Sequence, residues 1–438
     1  MAKKNSIFGR SFELAKLTVK VGMKELQSGN LKSRIEQAKL ITESLSELKG
    51  AAMKAGQLLS LDLADYFPPE AIQILSQLQN LGSSLPTIEI QKILQEELGP
   101  QRFQELRQIS EQSAASASIA QVHSAEYQGQ KVALKIQHPG VAESISSDLK
   151  ILKRLATSFV GLTNRQIDLN PLFDEFELVL RQEVDFLQEA QFLKQYQAQV
   201  QKMGAMKTSY TTPTLIPEMT TKKILTMTWE KGISLTQWMT TNPSQEKKNH
   251  LAHLILNLYC EEFFHWGLVQ TDPNFSNFLI QDDGSDFKLV ILDFGATRVY
   301  TKEFIADYVQ LLEKVRAQDD AALINYAIQF GMISSKESAE TKNDFVQMMK
   351  VAAEPFFVLP DSKSSTKNSK LFKFADKDYS LRSRDSVQKF IRGLKYSPPP
   401  HKIIFLHRKL GGIFALLKRL DVQLDITPYW SKMMGPGL

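Results

Sequence analysis

The stretch VQTDPNFSNFLIQDDGSDFKLVILDFG, from Val269 to Gly295, decides the fold of this chain. It places an acid, Asp272, and an amide, Asn277, five residues apart in a loop, and an apolar run then leads into Asp293. Taken alone, TDPNFSN is typical of a turn, because Asp, Asn and Ser bond readily to nearby backbone groups. Beside an apolar strand that ends in LDFG, the same residues predict a site for metal and phosphate.

Composition sets broad limits on the class of protein. The 438 residues can bury a large core and allow two or three domains. A net charge of +5 is too mild to predict a nucleic-acid partner. The single cysteine, Cys260, excludes an internal disulfide and lies in an apolar run, where we expect a buried core residue. No apolar run approaches the ~18 residues of a membrane span.

The first 95 residues are predicted to be helical. One face of the first helix gathers apolar residues three or four apart: Phe8, Phe12, Ala15, Val19, Met23 and Leu26. Lysines lie beside that face, and a second apolar side exists, so two interpretations stay open. The helix docks on the rest of the protein, or it contacts an anionic membrane surface. A further helix is predicted over 37–62, and LGSSLP, 81–86, is predicted to be a linker.

The N-terminus also bears on location. It lacks a signal-peptide core, and its acids and scarcity of arginine argue against a transit peptide. We therefore expect a cytoplasmic protein, with a peripheral contact on the inner membrane as the open alternative.

After about residue 110 the pattern becomes mixed. ASIAQVHSAEYQGQKVALKIQHPG contains two alternating runs joined at Gly129, which predicts a β-hairpin. A helical stretch is predicted from about Asp174 to Gln201. KKILTMTW and KLVILDFG are predicted strands, PSQEKKNHLAHLILNLYCEEFFHWG is a predicted helix, and the chain is mostly helical from Lys302. The polar run 361–370 is predicted to be a loop.

Chemistry-bearing residues recur in an informative order. A strand lysine, Lys135, precedes a helix glutamate, Glu189, and then come the pair Asp272 and Asn277 and finally Asp293. A strand lysine alone is more typical of a solvated sheet edge. The four features in this order form the protein-kinase signature set, so we interpret them as a phosphoryl-transfer site.

Each residue type suits one task in phosphoryl transfer. Lys135, placed at the end of its strand, would pair with nucleotide phosphates and be oriented by Glu189. Asp293 would bind Mg²⁺, which takes oxygen ligands, and Asn277 would hold a second metal without adding charge. Asp272 would orient the attacking hydroxyl or water.

Further motifs give the chain a family resemblance. They are KAGQ (Lys54–Gln57), AASASIAQVH (Ala114–His123), EVD (Glu183–Asp185), TDPNFSN, LDFGATR and LHRKLGG (Leu406–Gly412). With these motifs the chain resembles the UbiB-like atypical kinases, a family that includes bacterial UbiB and AarF and mitochondrial proteins required for coenzyme Q synthesis. The resemblance extends from about residue 35 to about 425.

The resemblance implies an α+β, bilobal protein-kinase-like fold with a helical N-terminal extension. The implied domains are 1–95, the extension; 96–225, an N-lobe with a helical insertion; and 226–438, a helical C-lobe. The implied cofactors are ATP and Mg²⁺. The implied nucleotide-binding residues are Lys135 and those of the alanine-rich loop, Ala115, Ser116, Ala117 and Ser118. The implied regulatory residues are Lys54, Gln57, Glu183 and Asp185, because the family's extension folds across the nucleotide cleft.

Without the resemblance, the KAGQ motif fits an amphipathic helix with a small residue, Gly56, at a packing contact.

Other positions depart from the pattern of ordinary kinases. Alanine replaces glycine in the loop over the phosphates and restricts backbone approach. Asn274 stands where ordinary kinases have a lysine, and Gln270 and Thr271 replace His-Arg. A helix is predicted from about Thr301, which leaves no long activation segment.

The sequence therefore predicts an atypical kinase or ATPase that binds Mg-ATP and hydrolyses it or transfers its γ-phosphate. By resemblance it supports the biosynthesis of ubiquinone or a related isoprenoid lipid, with quinone precursors or a lipid-biosynthetic enzyme complex as partners. Two alternatives stay open. One is a nucleotide-gated, non-enzymatic scaffold. The other is a small-molecule phosphotransferase, a class that shares the Asp and Asn spacing but lacks K-x-G-Q and the alanine-rich loop.

Overall fold

The computed structural model of the chain describes residues 51, 54–56, 85–160, 168–272, 274–284, 286–356, 371–396 and 401–434. The described residues divide into two compact units. One falls within Met1–Ala190 with Thr214–Trp229, and the other within Gln191–Pro213 with Glu230–Leu438. The predicted domain limits at 95 and 225 stay predictions.

The first unit is built on a β-hairpin, as the sequence predicts. β3 (Ala120–Tyr127) and β4 (Gln130–Gln137) pair antiparallel, from Ala120 opposite Gln137 to Tyr127 opposite Gln130. The two turn residues, Gln128 and Gly129, have φ of 51° and 76°. Two successive left-handed residues suit a hairpin turn whose twist matches that of the strands. The hairpin prediction is confirmed.

Three shorter strands extend this sheet: β1 (Leu106–Arg107), β2 (Ala115–Ser116) and β6 (Ile224–Thr228). The order is β1-β3-β4-β6, and β2 also pairs with β3. Helix α1 (Thr87–Glu105) covers one face, with a kink at Gly99 and Pro100. Its buried residues recur every four positions and pack against alternate residues of β4: Ile90, Leu94 and Leu98 against Val132, Leu134 and Ile136.

Three helices follow the hairpin: α2 (Val141–Val160), α3 (Asn170–Glu183) and α4 (Phe186–Gln201). The prediction of one helical stretch from Asp174 to Gln201 is wrong in its continuity. Val184 and Asp185 interrupt it, because the Asp185 carboxylate accepts the N–H groups of Leu187 and Gln188 and so begins a new helix. The division between the two units falls inside α4, after Ala190.

The second unit contains three small sheets. In the first, β5 (Tyr210–Thr211) runs parallel to β10 (Phe287–Ile291), which pairs antiparallel with β9 (Phe278–Asp282), and β7 (Ile233–Ser234) completes it. A second sheet pairs β8 (Leu268–Gln270) with β11 (Thr297–Val299), and a third pairs β12 (Phe372–Lys373) with β13 (Gln423–Leu424).

Helices make up most of the second unit. They are α5 (Leu235–Thr240), α6 (Gln245–Cys260), α7 (Lys302–Ala317), α8 (Asp320–Gln329), α9 (Ala339–Ala353), α10 (Lys377–Gly393), α11 (His401–Arg419) and α12 (Thr427–Met434). Thr301 caps α7 by accepting the N–H of Phe304, which confirms the helix predicted there. Cys260 is buried as predicted, and burial raises the pKa of its thiol to about 12.

Several predicted segments lie outside the described residues: the helix with the apolar face at 8–26, most of the helix at 37–62, most of the linker at 81–86, and the loop at 361–370. Within the helix predicted at 37–62, Lys54, Ala55 and Gly56 are helical. None of the described helices has the length and apolar character that crossing a membrane requires.

Candidate functional site

Lys135 and Glu189 form a close ion pair in the first unit. β4 lies between β3 and β6 and places Lys135 opposite Val122 and Leu225. Glu189 stands in the first turn of α4. The ammonium of Lys135 donates to both carboxylate oxygens, at 2.8 and 2.9 Å, and the Glu189 side chain is fully buried. Lys135 is not the last residue of its strand, because β4 continues to Gln137.

The predicted regulatory acids lie on both sides of the break between α3 and α4. Glu183, the last residue of α3, has a carboxylate oxygen 3.0 Å from Nζ of Lys54, and both side chains are almost completely buried. The backbone N–H of Ala51 donates to Oγ of Ser144 on α2, which holds the Lys54 segment against the unit. The structure thus brings Lys54 to Glu183, while Gln57 lies outside the described residues.

Asp185 has a different contact. Its Oδ1 lies 3.1 and 3.2 Å from the N atoms of Leu187 and Gln188, so it caps the helix that carries Glu189. The two acids of EVD therefore serve adjacent features, since one pairs with Lys54 and the other begins α4. Their predicted regulatory role stays a prediction.

The alanine-rich loop folds as a short hairpin over the start of β3. Ala115 pairs with Val122 and Ser116 with Gln121. The N–H of Ala117 donates to the carbonyl of Ala120 at 2.8 Å, which closes the turn. Residues 115–117 are exposed and Ser118 is half-buried. The small side chains leave this surface open, but the Ala117 N–H is already bonded within the hairpin.

In the second unit, a strand pair brings Asn277 and Asp293 to one end of a hairpin. Phe278, the first residue of β9, stands opposite Ile291, the last residue of β10. One step further, the N–H of Leu292 donates to the carbonyl of Asn277 at 2.9 Å. Asp293 follows directly, and its Oδ1 accepts the N–H of Gly295 at 3.0 Å. Antiparallel pairing thus places the two predicted metal ligands at the same end of the hairpin.

Asp272 is joined to the same region by the second strand pair. Gln270 of β8 stands opposite Thr297 of β11. Thr271 then donates to the carbonyl of Ala296 through both its N–H (3.1 Å) and its hydroxyl (2.8 Å). Asp272, the next residue, is therefore fixed beside the Asp-Phe-Gly turn. Its Oδ1 accepts the N–H of Asn274 at 3.1 Å.

The turn before β8 needs glycine. A π-helical segment, Glu261–Trp266, extends α6 and ends at Gly267, whose φ is 62°. A Cβ on Gly267 would meet the carbonyl oxygen of Tyr300 at 2.6 Å. This close approach is what lets the chain turn from the helix directly into the strand that positions Asp272.

The donor set fits magnesium. Mg²⁺ is usually bound by one or two carboxylates together with waters and substrate phosphates. Asp293 supplies a carboxylate, and Asn277 supplies a neutral amide at the same hairpin end. Asn277 is 8% exposed, and its Nδ2 atom makes no hydrogen bond among the described residues. Its Oδ1 is the atom that suits Mg²⁺, and the unused Nδ2 is a donor that suits an acceptor such as a phosphate oxygen.

Three charged residues near Asp272 received no role at the sequence level: Arg408, Lys409 and Glu262. The first two lie in LHRKLGG, which served only for the resemblance. A guanidinium nitrogen of Arg408 lies 3.7 Å from Oδ1 of Asp272, with side chains 10% and 11% exposed. Lys409 forms a buried ion pair with Glu262, which also accepts the hydroxyl of Tyr196. The sequence signal was present, because these charges interrupt the apolar runs IIFLHRKLGGIFALL and LYCEEFFHW.

Burial controls the ionisation of the Lys409–Glu262 pair. It raises the pKa of Glu262 and lowers the pKa of Lys409, and the attraction between the two groups opposes both shifts. The hydroxyl of Tyr196 also accepts the N–H of Gln270 at 3.0 Å. The buried pair is thereby connected to the backbone two residues before Asp272.

The chain belongs to the ABC1 atypical kinase-like family. The model of the ABC1 atypical kinase-like domain matches residues 77–327, more than half of the chain. This match confirms the UbiB-like resemblance, and with it the kinase-like α+β fold class.

Relatives and a solved structure agree with this assignment. The chain is 33% identical over 396 residues to "Atypical kinase COQ8, mitochondrial" of Saccharomyces cerevisiae, covering 90% of this chain and 75% of the relative. It is 30% identical over 393 residues to "Atypical kinase COQ8B, mitochondrial" of Rattus norvegicus, covering 88% and 70%. The fold is similar to that of Rv3197 from Mycobacterium tuberculosis, solved with erythromycin, with a TM-score of 0.58 and 22% identity over 92% of this chain and 98% of that one.

Proposed function

We propose that this chain is an atypical kinase or ATPase that binds Mg-ATP and either hydrolyses it or transfers its γ-phosphate. The observation that supports the proposal is the contact of the Lys135 ammonium with both carboxylate oxygens of Glu189, at 2.8 and 2.9 Å. In protein kinases the equivalent ion pair must be formed before phosphoryl transfer proceeds.

The remaining residues have roles that follow from their chemistry. Lys135, oriented by Glu189, pairs with the nucleotide phosphates. Asp293 and Asn277 are suited to hold Mg²⁺, which neutralises phosphate charge when it is bound. Asp272 orients the acceptor hydroxyl or water, because its carboxylate is fixed beside the Asp-Phe-Gly turn. The alanine-rich loop, Ala115 to Ser118, contacts the phosphates through its small side chains and its backbone.

We further propose that the activity supports the biosynthesis of ubiquinone or a related isoprenoid lipid. The resemblance to coenzyme Q-associated members and the two COQ8 relatives support this role. Quinone precursors, a lipid-biosynthetic enzyme complex and an anionic membrane surface are the partners that fit it.

Asp293→Asn tests the function. A neutral amide is a far poorer magnesium ligand than a carboxylate, and metal ligation is worth several kcal/mol, so Mg²⁺-dependent ATP affinity and phosphate release should each fall at least ~10-fold. The matched control is Asp286→Asn, the same change at an exposed residue beside the other end of the β9–β10 hairpin, and it should behave as wild type. Calorimetry with and without Mg²⁺ and a phosphate-release assay give the two readouts.

The results of these measurements distinguish the proposed enzyme from the nucleotide-gated scaffold. Unchanged Mg²⁺-dependent affinity in Asp293→Asn would contradict the metal assignment. ATP binding by the wild type with no phosphate release or transfer, even with anionic vesicles and quinone precursors present, would favour the nucleotide-gated scaffold.

A further inference from the structure

The loop that carries Asp272 contains no cation of its own. Thr271 to Asn277 includes one acid and neither lysine nor arginine. Asn274 occupies the position where ordinary kinases have a lysine. It is used for loop geometry, since its N–H donates to Asp272 and its Oδ1 accepts the N–H of Ser276 at 3.0 Å. A kinase-like site built this way needs its positive charge from elsewhere in the chain.

Arg408 brings a positive charge to this loop. It belongs to α11, far from the loop in sequence, and one of its guanidinium nitrogens lies 3.7 Å from Oδ1 of Asp272. The two side chains are only 10% and 11% exposed. A contact that is largely sheltered from water is screened little by salt, so it is stronger than a surface ion pair.

The direction of Arg408 is fixed by its neighbours on the helix. Nε2 of His407 lies 3.0 Å from the hydroxyl of Tyr308, and Lys409 is paired with the buried Glu262. Successive helical residues point about 100° apart, so these three residues reach three different partners. Because the Lys409–Glu262 contact is buried and the His407–Tyr308 contact is partly buried, the two set the rotation of α11 and with it the direction in which Arg408 points toward Asp272.

The same helix is also tied to the strand that leads into Asp272. Lys409 contacts Glu262, Glu262 accepts the hydroxyl of Tyr196, and Tyr196 accepts the N–H of Gln270. α11 is therefore connected to Gln270 through one chain of contacts and to Asp272 through Arg408. Two connections to the same short segment fix the distance between the guanidinium and the carboxylate.

We propose that Arg408 is a positioning residue that supplies the catalytic loop with the positive charge ordinary kinases obtain from a loop lysine. It orients the Asp272 carboxylate toward the acceptor and offsets negative charge that approaches this carboxylate during phosphoryl transfer. The proposal rests on the proposed function, because it assigns Arg408 a role through Asp272. A charge-based role predicts that another cation placed in the loop can replace Arg408.

The experiment compares Arg408→Gln with the double variant Arg408→Gln/Asn274→Lys. Misorienting one catalytic group costs on the order of 100-fold, so we expect kcat for phosphate release to fall about 10- to 100-fold in Arg408→Gln. The dissociation constant for Mg-ATP should stay within about twofold, since Arg408 acts through Asp272. Measured against Asn274→Lys alone, which also lacks the Oδ1 contact with Ser276, the double variant should show a loss about tenfold smaller than that of Arg408→Gln against wild type. Asn274 is exposed and can accept the longer side chain.

Two controls isolate the charge at this position. Arg419→Gln removes an arginine from an exposed position on the same helix and should leave kcat unchanged. Asn274→Lys in the native background should not give the tenfold gain, because Arg408 already supplies the charge. Arg408→Lys keeps the charge but loses the planar fork, so its kcat should lie between those of wild type and Arg408→Gln.

Several results would overturn the role of Arg408. They are wild-type kcat in Arg408→Gln, a loss that the lysine at 274 does not recover, or an equal gain from that lysine in the native background. If Arg408→Gln does not fold, the comparison uses Arg408→Met, which removes the charge and keeps a long side chain, with and without Asn274→Lys, and failure of the second change to raise kcat overturns the proposal. Asp272→Asn distinguishes a failure of the proposed function from a failure of the inference about Arg408. Full turnover in that variant would contradict the proposed function itself. Lost turnover there with full turnover in Arg408→Gln removes only the inference.

Discussion

At the scale of single residues, Lys135 and Glu189 should act as one unit. Glu189 is fully buried and Lys135 is 11% exposed, so removing either charge leaves the other in a poorly solvated place. We expect Lys135→Ala and Glu189→Gln each to lower stability and turnover, with the double variant less impaired than the sum by about 1–3 kcal/mol. Urea unfolding and phosphate release of the four proteins measure this coupling.

The exposed ion pair Lys92–Glu96 on α1 provides a control, in which the same pair of single variants and their double variant are compared. Its charges lie 3.7 Å apart with side chains 73% and 64% exposed, so its coupling should be no more than about 0.5 kcal/mol. Simple additivity of the Lys135 and Glu189 losses would mean that the two residues are not functional partners.

His407 makes stability depend on pH. Burial lowers the pKa of His407 to about 4, from an ordinary value of 6.5. Between these values the unfolded chain binds a proton at this site and the folded chain does not. Stability that is fully present above pH 6.5 is therefore lost as the pH falls through 4, and the loss at this site amounts to about 3 kcal/mol.

His407→Gln should remove this contribution. The slope of unfolding free energy against pH, measured with urea between pH 6.5 and 4, should decrease by up to one proton relative to wild type. His265→Gln, the same change at an exposed histidine, is the matched control. An identical slope in His407→Gln would show that the imidazole becomes protonated without cost in the folded protein.

At the scale of elements, the start of α4 matters because this turn carries Glu189. Asp185 caps the helix through two backbone N–H groups, and loss of such a cap costs about 1 kcal/mol. We expect Asp185→Ala to lower stability by about that amount and to reduce turnover, because the first turn that holds Glu189 frays. Asp185→Asn keeps a capping oxygen and should retain most of both. Equal losses in the Ala and Asn variants would assign the effect to the charge of Asp185 and not to capping.

The elements also show where sequence patterns were sufficient. The hairpin of β3 and β4 was predictable, because alternation of apolar and polar residues and a turn glycine are local features of the sequence. The break between α3 and α4 was not, because Val179, Phe186 and Leu193, which are seven residues apart, continue an apolar helical pattern across it. Despite this periodicity, the Asp185 carboxylate caps the backbone after the break and begins a new helix.

At the scale of the whole molecule, motif order was enough to predict the family and the kinase-like fold class. The same motifs named Lys135, Glu189, Asp272, Asn277 and Asp293. They included Arg408 in LHRKLGG but gave it no role, because its contact with Asp272 joins distant parts of the chain through the rotation of α11. Packing of this kind depends on the contacts of His407 and Lys409, and no local spacing in the sequence encodes it.

The connection after Gly295 predicts the class of acceptor. Six residues, 296–301, separate Gly295 from α7, and three of them form β11. Ordinary kinases use a long segment at this point as the platform on which a peptide lies. We therefore expect phosphate release without transfer to generic proteins or peptides, so that label incorporation from γ-labelled ATP is no higher than with Asp272→Asn. Measuring both products in one reaction distinguishes an inactive preparation from a selective one. Rapid phosphorylation of ordinary peptides would show that the short connection suffices for peptide docking, and would indicate a conventional protein kinase.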